Sequence, residues 1–294
     1  MSFRHVAIIY NPASGRPRER TKAVETLAGY LRDAGIRVDA YPTDHPNHAT
    51  ELARQAVAQG CDLVVANGGD GTMNEVLQAL VGTPVALGFW PGGTANVLAS
   101  EIHFPTRIED VAARIVAGNV MPVTVGLAND RYFLLMVGVG LDAAVAGSVD
   151  PELKRRVGKA AFALAALQFV RQWHLDPFRV ELPGGEEWVG HFAVAGNGHS
   201  YGGGFRLTPQ ANLMDPNLDV CIFLSDQRID YFRFALAALA GVHRRMPGVV
   251  YRKVREARIT SLSGEPIPFQ VDGEVVGTLP LTLSTVPGGV RLLV

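Results

Sequence analysis

Apolar runs alternate with helix-like patterns through the first part of the chain. Four strands are predicted there, at His5–Tyr10, Val38–Tyr41, Leu63–Ala66 and Pro84–Phe89. Apolar residues at intervals of three and four predict helices between them, including Arg18–Ala34 and His48–Gln59. Because strands and helices alternate regularly to about Gly118, this part is predicted to be a three-layer α/β domain with a parallel sheet.

From Pro122 onward the pattern changes to short strands separated by Gly, Pro and Asn turns. Strands are predicted at Met121–Leu127, Tyr132–Val139, Phe178–Leu182, Trp188–Ala195, Asp219–Leu224, Arg258–Ser261, Phe269–Val271, Leu281–Thr285 and Val290–Val294. Two helices, Glu152–Trp173 and Ile229–Arg245, interrupt them. Short strands joined by turns favour an antiparallel sandwich or barrel. We therefore expect an α/β domain over residues 1–121 and a β-rich domain over residues 122–294, with the C-terminal tail packing back on the first.

The most informative stretch is Asn67-Gly68-Gly69-Asp70-Gly71-Thr72-Met73-Asn74-Glu75, which joins a buried strand to a helix. That helix is predicted from the spacing of Met73, Val76, Leu77 and Leu80, which places these four apolar residues on one face. Its three glycines let the backbone approach a ligand closely, and the helix adds its positive end, so a phosphate is the expected guest. Asp70 is unsuited to binding phosphate directly, but Mg²⁺ prefers a carboxylate together with phosphate oxygens. The alternative is a tight turn with Asp70 as the N-cap of the helix.

Two further loops repeat the arrangement of strand, small polar loop and helix. They are Asn11-Pro12-Ala13-Ser14-Gly15 and Pro91-Gly92-Gly93-Thr94-Ala95-Asn96. Ligands of parallel sheets bind beyond the carboxyl ends of the strands, so all three loops could line one crevice. Arg16, Arg18, Arg20 and Lys22 crowd the start of one helix, where positive charge is unfavourable. Either an anion compensates them or this is a solvated basic helix start.

Composition narrows the function classes. The chain has 294 residues and a net charge of −1, which gives no electrostatic reason to expect nucleic acid as a partner. The two cysteines, Cys61 and Cys221, fit no metal-binding spacing and suggest a reducing compartment. Met1 leads directly into the first strand, and no apolar run reaches membrane-spanning length. We expect a soluble, cytoplasmic protein.

The three loops and several later motifs resemble the catalytic-domain family of the diacylglycerol kinases, which includes sphingosine and ceramide kinases and bacterial lipid kinases. The later motifs are Gly138-Val139-Gly140-Leu141-Asp142, Tyr201-Gly202-Gly203-Gly204 through Pro209, Asp215 to Asp219, and Asp272-Gly273-Glu274. The GGDGT string alone is shared with NAD kinases, whereas the whole set in this order is more specific. The resemblance implies an NAD-kinase-like α/β domain followed by an antiparallel β-sandwich.

The resemblance also implies an activity, which is transfer of the γ-phosphate of ATP to a lipid hydroxyl with Mg²⁺, and the residues that serve it. Glu274 would be the general base, and Asp70 would arrange metal and phosphates. Asp215 would anchor a Mg²⁺ with the backbone carbonyls of Asn212 and Asn217. The implied ATP-binding residues are Asn11, Pro12, Ser14, Gly15, Thr43, Gly68, Gly69, Asp70, Gly71, Thr72, Asn74, Glu75, Thr94 and Asn96. Pro216 stands where the family usually has glycine, and proline fixes φ.

Partners and competing functions stay open at this point. The basic start of helix 152–173 is either a solvated end of a core helix or a surface for an anionic bilayer that holds the lipid substrate, on the inner face of the membrane. A homodimer is also possible. The competing functions are a soluble-substrate kinase of the NAD-kinase kind and a non-catalytic nucleotide-binding protein.

Overall fold

The computed structural model describes residues 3–12, 17–93, 95–140, 176–200 and 206–294. The chain divides into two compact units. The first unit runs to Val123 and also contains Gly288–Val294, and the second unit is Thr124–Pro287. The predicted helix 152–173 lies outside the described residues.

The first unit is built on a parallel sheet in the strand order β2-β1-β3-β4. Its strands are β1 (His5–Tyr10), β2 (Arg37–Pro42), β3 (Leu63–Gly68) and β4 (Ala86–Pro91). β1 and β3 are buried along their whole length, as expected for strands covered on both faces. Near the end of the chain, Arg291 and Leu292 pair in parallel with Ala86 and Leu87 and add a strand beside β4.

Five helices cover this sheet within the described residues. They are α1 (Pro17–Asp33), α2 (His48–Ala58), α3 (Asp70–Leu80), α4 (Val97–Glu101) and α5 (Ile108–Ala117). The predicted stripe of α3 is confirmed, because Met73, Val76, Leu77 and Leu80 are all fully buried. α4 is only one turn long and follows a left-handed residue, Asn96 (φ 47°).

The second unit is a β-sandwich. One antiparallel sheet has the order β12-β11-β10-β7-β14-β15, and the other includes β16, β13, β8 and β9. The strands are β5 (Val120–Ala128), β6 (Arg131–Phe133), β7 (Met136–Gly140), β8 (Phe178–Leu182), β9 (Glu186–Gly190), β10 (Phe192–Gly196), β11 (Leu218–Phe223), β12 (Val249–Val254), β13 (Glu256–Ser261), β14 (Pro268–Val271), β15 (Glu274–Thr278) and β16 (Leu281–Leu293). Residues of both sheets form one apolar core, among them Phe178, Ile222, Phe269 and Leu281. The predicted fold class, an α/β domain followed by a β-sandwich, is confirmed.

Several predicted elements of the second unit are wrong in extent. The predicted strand Tyr132–Val139 is two strands, β6 and β7, which belong to different sheets. The predicted strand Trp188–Ala195 is likewise divided into β9 and β10, and the two predicted C-terminal strands are one, β16. β12 and β15 were not predicted at all.

The predicted helix Ile229–Arg245 is also too long. The observed helix, α6 (Arg228–Leu239), stops before Gly241, which has a φ of 70° that a helix cannot continue through. A short 3₁₀ turn, His243–Arg245, follows it. α6 buries Tyr231, Phe234 and Ala238 against the sandwich.

Candidate functional site

Four strands of the first unit end together, and the described parts of the three predicted loops begin there. We call this the carboxyl edge: the ends of β1–β4 and the residues that follow them. Asn11 N donates to Asn67 O at 3.1 Å, and Thr43 N donates to Tyr10 O at 2.9 Å. Gly92 N donates to Gly68 O at 2.7 Å. The predicted residues Asn11, Thr43 and Gly68 are therefore side by side along one edge of one sheet.

The glycine loops after β3 and β4 touch backbone to backbone. A Cβ added to Gly93 would lie 2.6 Å from Gly69 Cα, a distance that real structures essentially never show. A Cβ on Gly68 would lie 2.5 Å from Thr72 Oγ1. Glycine is therefore required at Gly93 by contact between the two loops, and at Gly68 by contact with the first turn of α3. A ligand at this edge meets bare backbone instead of side chains.

Asp70 is the first residue of α3, and Gly69 is the N-cap. The alternative in which Asp70 caps the helix is therefore wrong. Gly69 has extended backbone (φ −85°, ψ −177°), and the described chain gives this helix start no side-chain cap. The N-terminal amides of a helix have no partner within the helix, so this end suits an anion. Asp70 Oδ1 lies 3.5 Å from the amide nitrogen of Leu98 in the first turn of α4.

Asn96 closes the loop that follows β4. Its Oδ1 accepts from Gly93 N at 2.9 Å, and its Nδ2 donates to Gly93 O at 2.7 Å. These two bonds hold Gly93 against Gly69. Thr94, inside this loop, lies outside the described residues, as do Ser14 and Gly15 of the first loop.

Arg20 connects the ends of β3 and β4 through its guanidinium group, a role that the sequence analysis did not assign. Its Nη1 donates to Asn67 Oδ1 at 3.0 Å, and its Nη2 donates to Gly92 O at 2.9 Å. Asn67 in turn donates from Nδ2 to Trp90 O at 3.1 Å. Burial lowers the pKa of Arg20. A positive charge in the first turn of a helix was the available signal that this side chain has a partner elsewhere.

Glu75 and Asn74 have partners within the fold. Glu75 Oε2 accepts from Ala49 N at 3.1 Å, and its carbonyl accepts from Thr50 Oγ1 at 2.8 Å, so Glu75 caps the start of α2. Asn74 is almost fully buried, and Gln78 donates to both its backbone and its side-chain oxygen. The structure therefore gives Glu75 a structural role at α2 that the sequence did not suggest.

In the second unit, Asp272 fixes a tight turn between β14 and β15. Asp272 has a φ of 47°, and Gly273 has a φ of 89°. The buried carboxylate of Asp272 accepts from the backbone N–H groups of Leu134, Leu135 and Met136 at 3.0, 2.9 and 3.0 Å. Three amides on one carboxylate make it a structural anchor.

Glu274, two residues further on, opens β15 from this anchored turn. Its side chain is 49% exposed, and Oε2 lies 2.9 Å from Arg131 Nη2. A carboxylate that is reachable from solvent and held on a rigid hairpin can take a proton from a substrate hydroxyl.

The two halves of the chain match known families. A sequence model of the diacylglycerol kinase catalytic domain matches residues 5–128, and a model of the YegS C-terminal NAD kinase beta sandwich-like domain matches residues 135–294. A diacylglycerol kinase of Staphylococcus carnosus is 30% identical over 93% of this chain and 89% of its own. The chain belongs to the diacylglycerol kinase family. A diacylglycerol kinase of Staphylococcus aureus strain MRSA252 is also 30% identical, over 93% of this chain and 87% of its own.

Membership of the diacylglycerol kinase family makes the protein a phosphotransferase with an alcohol acceptor and, at family level, a lipid kinase. A solved structure of a diacylglycerol kinase from Bacillus anthracis has the same fold. Its TM-score is 0.81 at 24% identity, and the match covers 100% of this chain and 98% of the other.

For a diacylglycerol kinase, Asp215 is the residue where the sequence resemblance implied a bound Mg²⁺. Asp215 Oδ2 accepts from Lys253 Nζ at 2.5 Å. Its Oδ1 accepts from both Asn217 N at 3.0 Å and Asn217 Nδ2 at 2.8 Å. Mg²⁺ needs oxygen ligands at about 2.0–2.1 Å in near-octahedral geometry. The donors present here are nitrogens and one is a cation, so these residues do not fit a divalent ion as they stand.

Proposed function

We propose that the protein is an ATP- and Mg²⁺-dependent lipid kinase that transfers the γ-phosphate of ATP to a hydroxyl of a diacylglycerol-like lipid. Membership of the diacylglycerol kinase family supports the class of reaction. The observation that carries the nucleotide site is the backbone contact between the two glycine loops at Gly69 and Gly93. This contact lies at the carboxyl edge of a parallel sheet, which is the edge where such sheets bind their ligands.

In this proposal the start of α3 binds the phosphates of ATP. The amides that follow Gly69 would donate to phosphate oxygens, and the helix end would favour their negative charge. Asp70 would hold the Mg²⁺ that travels with ATP and neutralises the developing phosphate charge. The rest of the proposed ATP site comprises Asn11, Pro12, Ser14, Gly15, Thr43, Gly68, Gly71, Thr72, Asn74, Glu75, Thr94 and Asn96.

The proposed chemical step needs a base for the lipid hydroxyl. The hydroxyl oxygen forms a bond to the γ-phosphorus while the bond from that phosphorus to the bridging oxygen of ADP breaks. The hydroxyl proton passes to the Glu274 carboxylate. General base catalysis of this kind contributes about 10²- to 10⁴-fold in rate. The partly exposed carboxylate of Glu274 and its place beside a turn anchored by Asp272 support this role.

The Glu274→Gln variant tests the base. Glutamine keeps the shape of the side chain and an oxygen for Arg131, but it cannot accept the proton. We expect kcat to fall by about 10²-fold or more while the Kd for ATP stays unchanged. The matched control is Glu265→Gln, an exposed glutamate of the same unit, which should keep full activity. A wild-type kcat in Glu274→Gln would refute the role.

An assay of ATP consumption over several acceptors tests the substrate class. The acceptors are diacylglycerol, a sphingoid base, phosphatidylglycerol, NAD and buffer alone. We expect phosphorylation of a lipid acceptor only. Phosphorylation of NAD would replace this proposal with the soluble-substrate alternative. ATP binding without turnover on any acceptor would leave a nucleotide-binding protein.

We further propose that the protein reaches its lipid by docking on an anionic bilayer through α6. Within the described chain, no helix combines the length and the apolar character needed to cross a bilayer. α6 instead exposes four large apolar side chains, and at about 100° per residue these occupy an arc of roughly 80°. They are Ile229, Phe232, Leu236 and Leu239, between 53% and 62% exposed. Arg228 and Arg233 lie near the two edges of this arc, where basic groups favour negatively charged headgroups, although Arg233 also pairs with Asp230 at 3.0 Å.

Sedimentation with phosphatidylglycerol vesicles tests this docking face. We expect binding that weakens with salt and that is lost in the double variant Phe232→Gln, Leu239→Gln. The control Leu262→Gln removes another exposed apolar side chain of the same unit and should bind as the wild type does. If the double variant instead converts a dimer into monomers and vesicle binding is unchanged, α6 is an interface between two copies and the docking proposal is wrong.

A further inference from the structure

An ammonium group lies between two carboxylates, and one of them, Asp215, is the residue that the family resemblance associates with a metal. Asp215 precedes β11, Asp219 lies on β11, and Lys253 lies directly opposite Asp219 on β12. Lys253 Nζ is 2.5 Å from Asp215 Oδ2 and 3.5 Å from Asp219 Oδ2. The position of the ammonium is therefore fixed by strand pairing as well as by charge.

Asp219 makes this cation necessary. Its side chain is 0% exposed, no hydrogen bond of good geometry reaches either of its oxygens from the described residues, and its polar neighbours among them are the ammonium of Lys253 and the hydroxyl of Tyr251. Burial raises the pKa of Asp219, and the positive charge of Lys253 acts in the opposite direction. Because an unpaired buried carboxylate is costly, the ammonium at 3.5 Å is what offsets its charge.

Asp215 holds the ammonium in place. Lys253 Nζ donates to Asp215 Oδ2, and the two groups form a short ion pair. The other carboxylate oxygen of Asp215 is bound twice by Asn217. Pro216 O accepts from Thr285 Oγ1 at 2.9 Å, which fastens the turn to β16. A divalent ion entering here would have to displace a cation that is already bonded and rearrange a turn that is already fastened.

We propose that Lys253 is a built-in substitute for a divalent cation at Asp215 and Asp219, so that the second unit keeps its structure without a metal at this position. The Lys253 ammonium acts as a positioning group for the turn of residues 212–219. This inference does not depend on the proposed reaction, because it concerns cation binding in the absence of nucleotide.

Binding of Mn²⁺, measured by electron paramagnetic resonance without nucleotide, tests the substitution. We expect the wild type and Asp215→Asn to bind the same amount of Mn²⁺, because Asp215 binds none in the wild type. We expect Lys253→Met to gain one bound Mn²⁺, to lose it again in the double variant Lys253→Met, Asp215→Asn, and to show a higher Tm when Mn²⁺ is added. The control Arg255→Met removes an equal charge two residues further along the sequence and should gain no bound Mn²⁺.

Two outcomes would overturn the proposal. One is a wild-type protein that binds Mn²⁺ through Asp215, because the ammonium would then move aside for a metal. The other is a folded Lys253→Met variant that neither binds Mn²⁺ nor is stabilised by it. If Lys253→Met fails to fold, the comparison of the wild type with Asp215→Asn still decides the question.

Discussion

Replacing Asp272 should destabilise the second unit more than almost any other single change. Its carboxylate accepts three backbone N–H groups and is 7% exposed. Hydrogen bonds to a charged group contribute about 1.5–3 kcal/mol each, and these contributions are not additive. Asp272→Ala leaves three donors without an acceptor and puts alanine at a φ of 47°, so we expect a loss of about 4 kcal/mol.

Asp272→Asn separates charge from shape. Asparagine tolerates the left-handed φ and keeps one oxygen, which can still serve Leu135 and Met136. Its amide nitrogen then faces the N–H of Leu134, where a donor meets a donor. We therefore expect a smaller loss, of about 2 kcal/mol.

Urea unfolding and hydrogen exchange measure these losses. The urea midpoint should fall in the order wild type, Asp272→Asn, Asp272→Ala at an unchanged slope. The amides of residues 134–136 should lose protection first, and Asp130→Asn, an exposed aspartate of the same unit, is the control. If Asp272→Ala costs less than about 1 kcal/mol, or if protection of these amides is unchanged, the carboxylate is not the anchor described here.

Three further predictions concern other parts of the chain. Burial lowers the pKa of His243, so the folded state disfavours the protonated imidazole that the unfolded state forms. The free energy of unfolding should therefore fall as the pH drops below about 6.5. Urea midpoints measured against pH should show this slope in the wild type and a flatter one in His243→Gln. Gly93→Ala should weaken ATP binding by about tenfold or more in calorimetry, because its Cβ would collide with Gly69. Gly29→Ala, where a Cβ meets no atom within 4 Å, is the control. Arg20→Met should cost the first unit about 1–3 kcal/mol in urea unfolding through its bonds to two loops.

The first unit was predictable from sequence because its signals are local. β1 has the predicted bounds, His5–Tyr10. A short continuous run of buried residues is typical of a strand covered on both faces, and this pattern is visible in the local sequence. The predicted face of α3 is the observed one. The gathering of the loops at one edge follows from a parallel sheet, in which every strand ends on the same side.

The second unit was less predictable because distant residues decide where its strands end. The stretch Tyr132–Val139 is apolar enough for one strand, but Asp272 takes the N–H groups of residues 134–136 from 136 to 138 positions away. Asn197 binds the carbonyl of Leu134 from the other side. These hydrogen bonds satisfy the backbone where β6 ends and β7 begins. No pattern in the local sequence indicates them, because their partners are distant in the chain. The end of α6 is different, because Gly241 was a local signal for it.

The same reasoning explains why Lys253 and Arg20 were not assigned roles from sequence. Lys253 faces Asp219 only once β11 and β12 are paired, and β12 was not predicted. Arg20 meets Asn67 and Gly92 only once three strands stand in order. Spacing along the chain carries no information about such contacts. Charged residues in unfavourable local positions are the clue that sequence offers.

The two carboxylates of Asp272-Gly273-Glu274 differ in what they can do, although from the sequence alone either could be the base. Three backbone N–H groups occupy the oxygens of Asp272, so this carboxylate holds the turn and is closed to a substrate hydroxyl. The side chain of Glu274 pairs with Arg131 and is half open to solvent, so it can accept a proton without unfolding the turn. Gly273, at a φ of 89°, reverses the chain between the two. The anchored carboxylate therefore gives the other its fixed position, and this supports Glu274, rather than Asp272, as the proposed base.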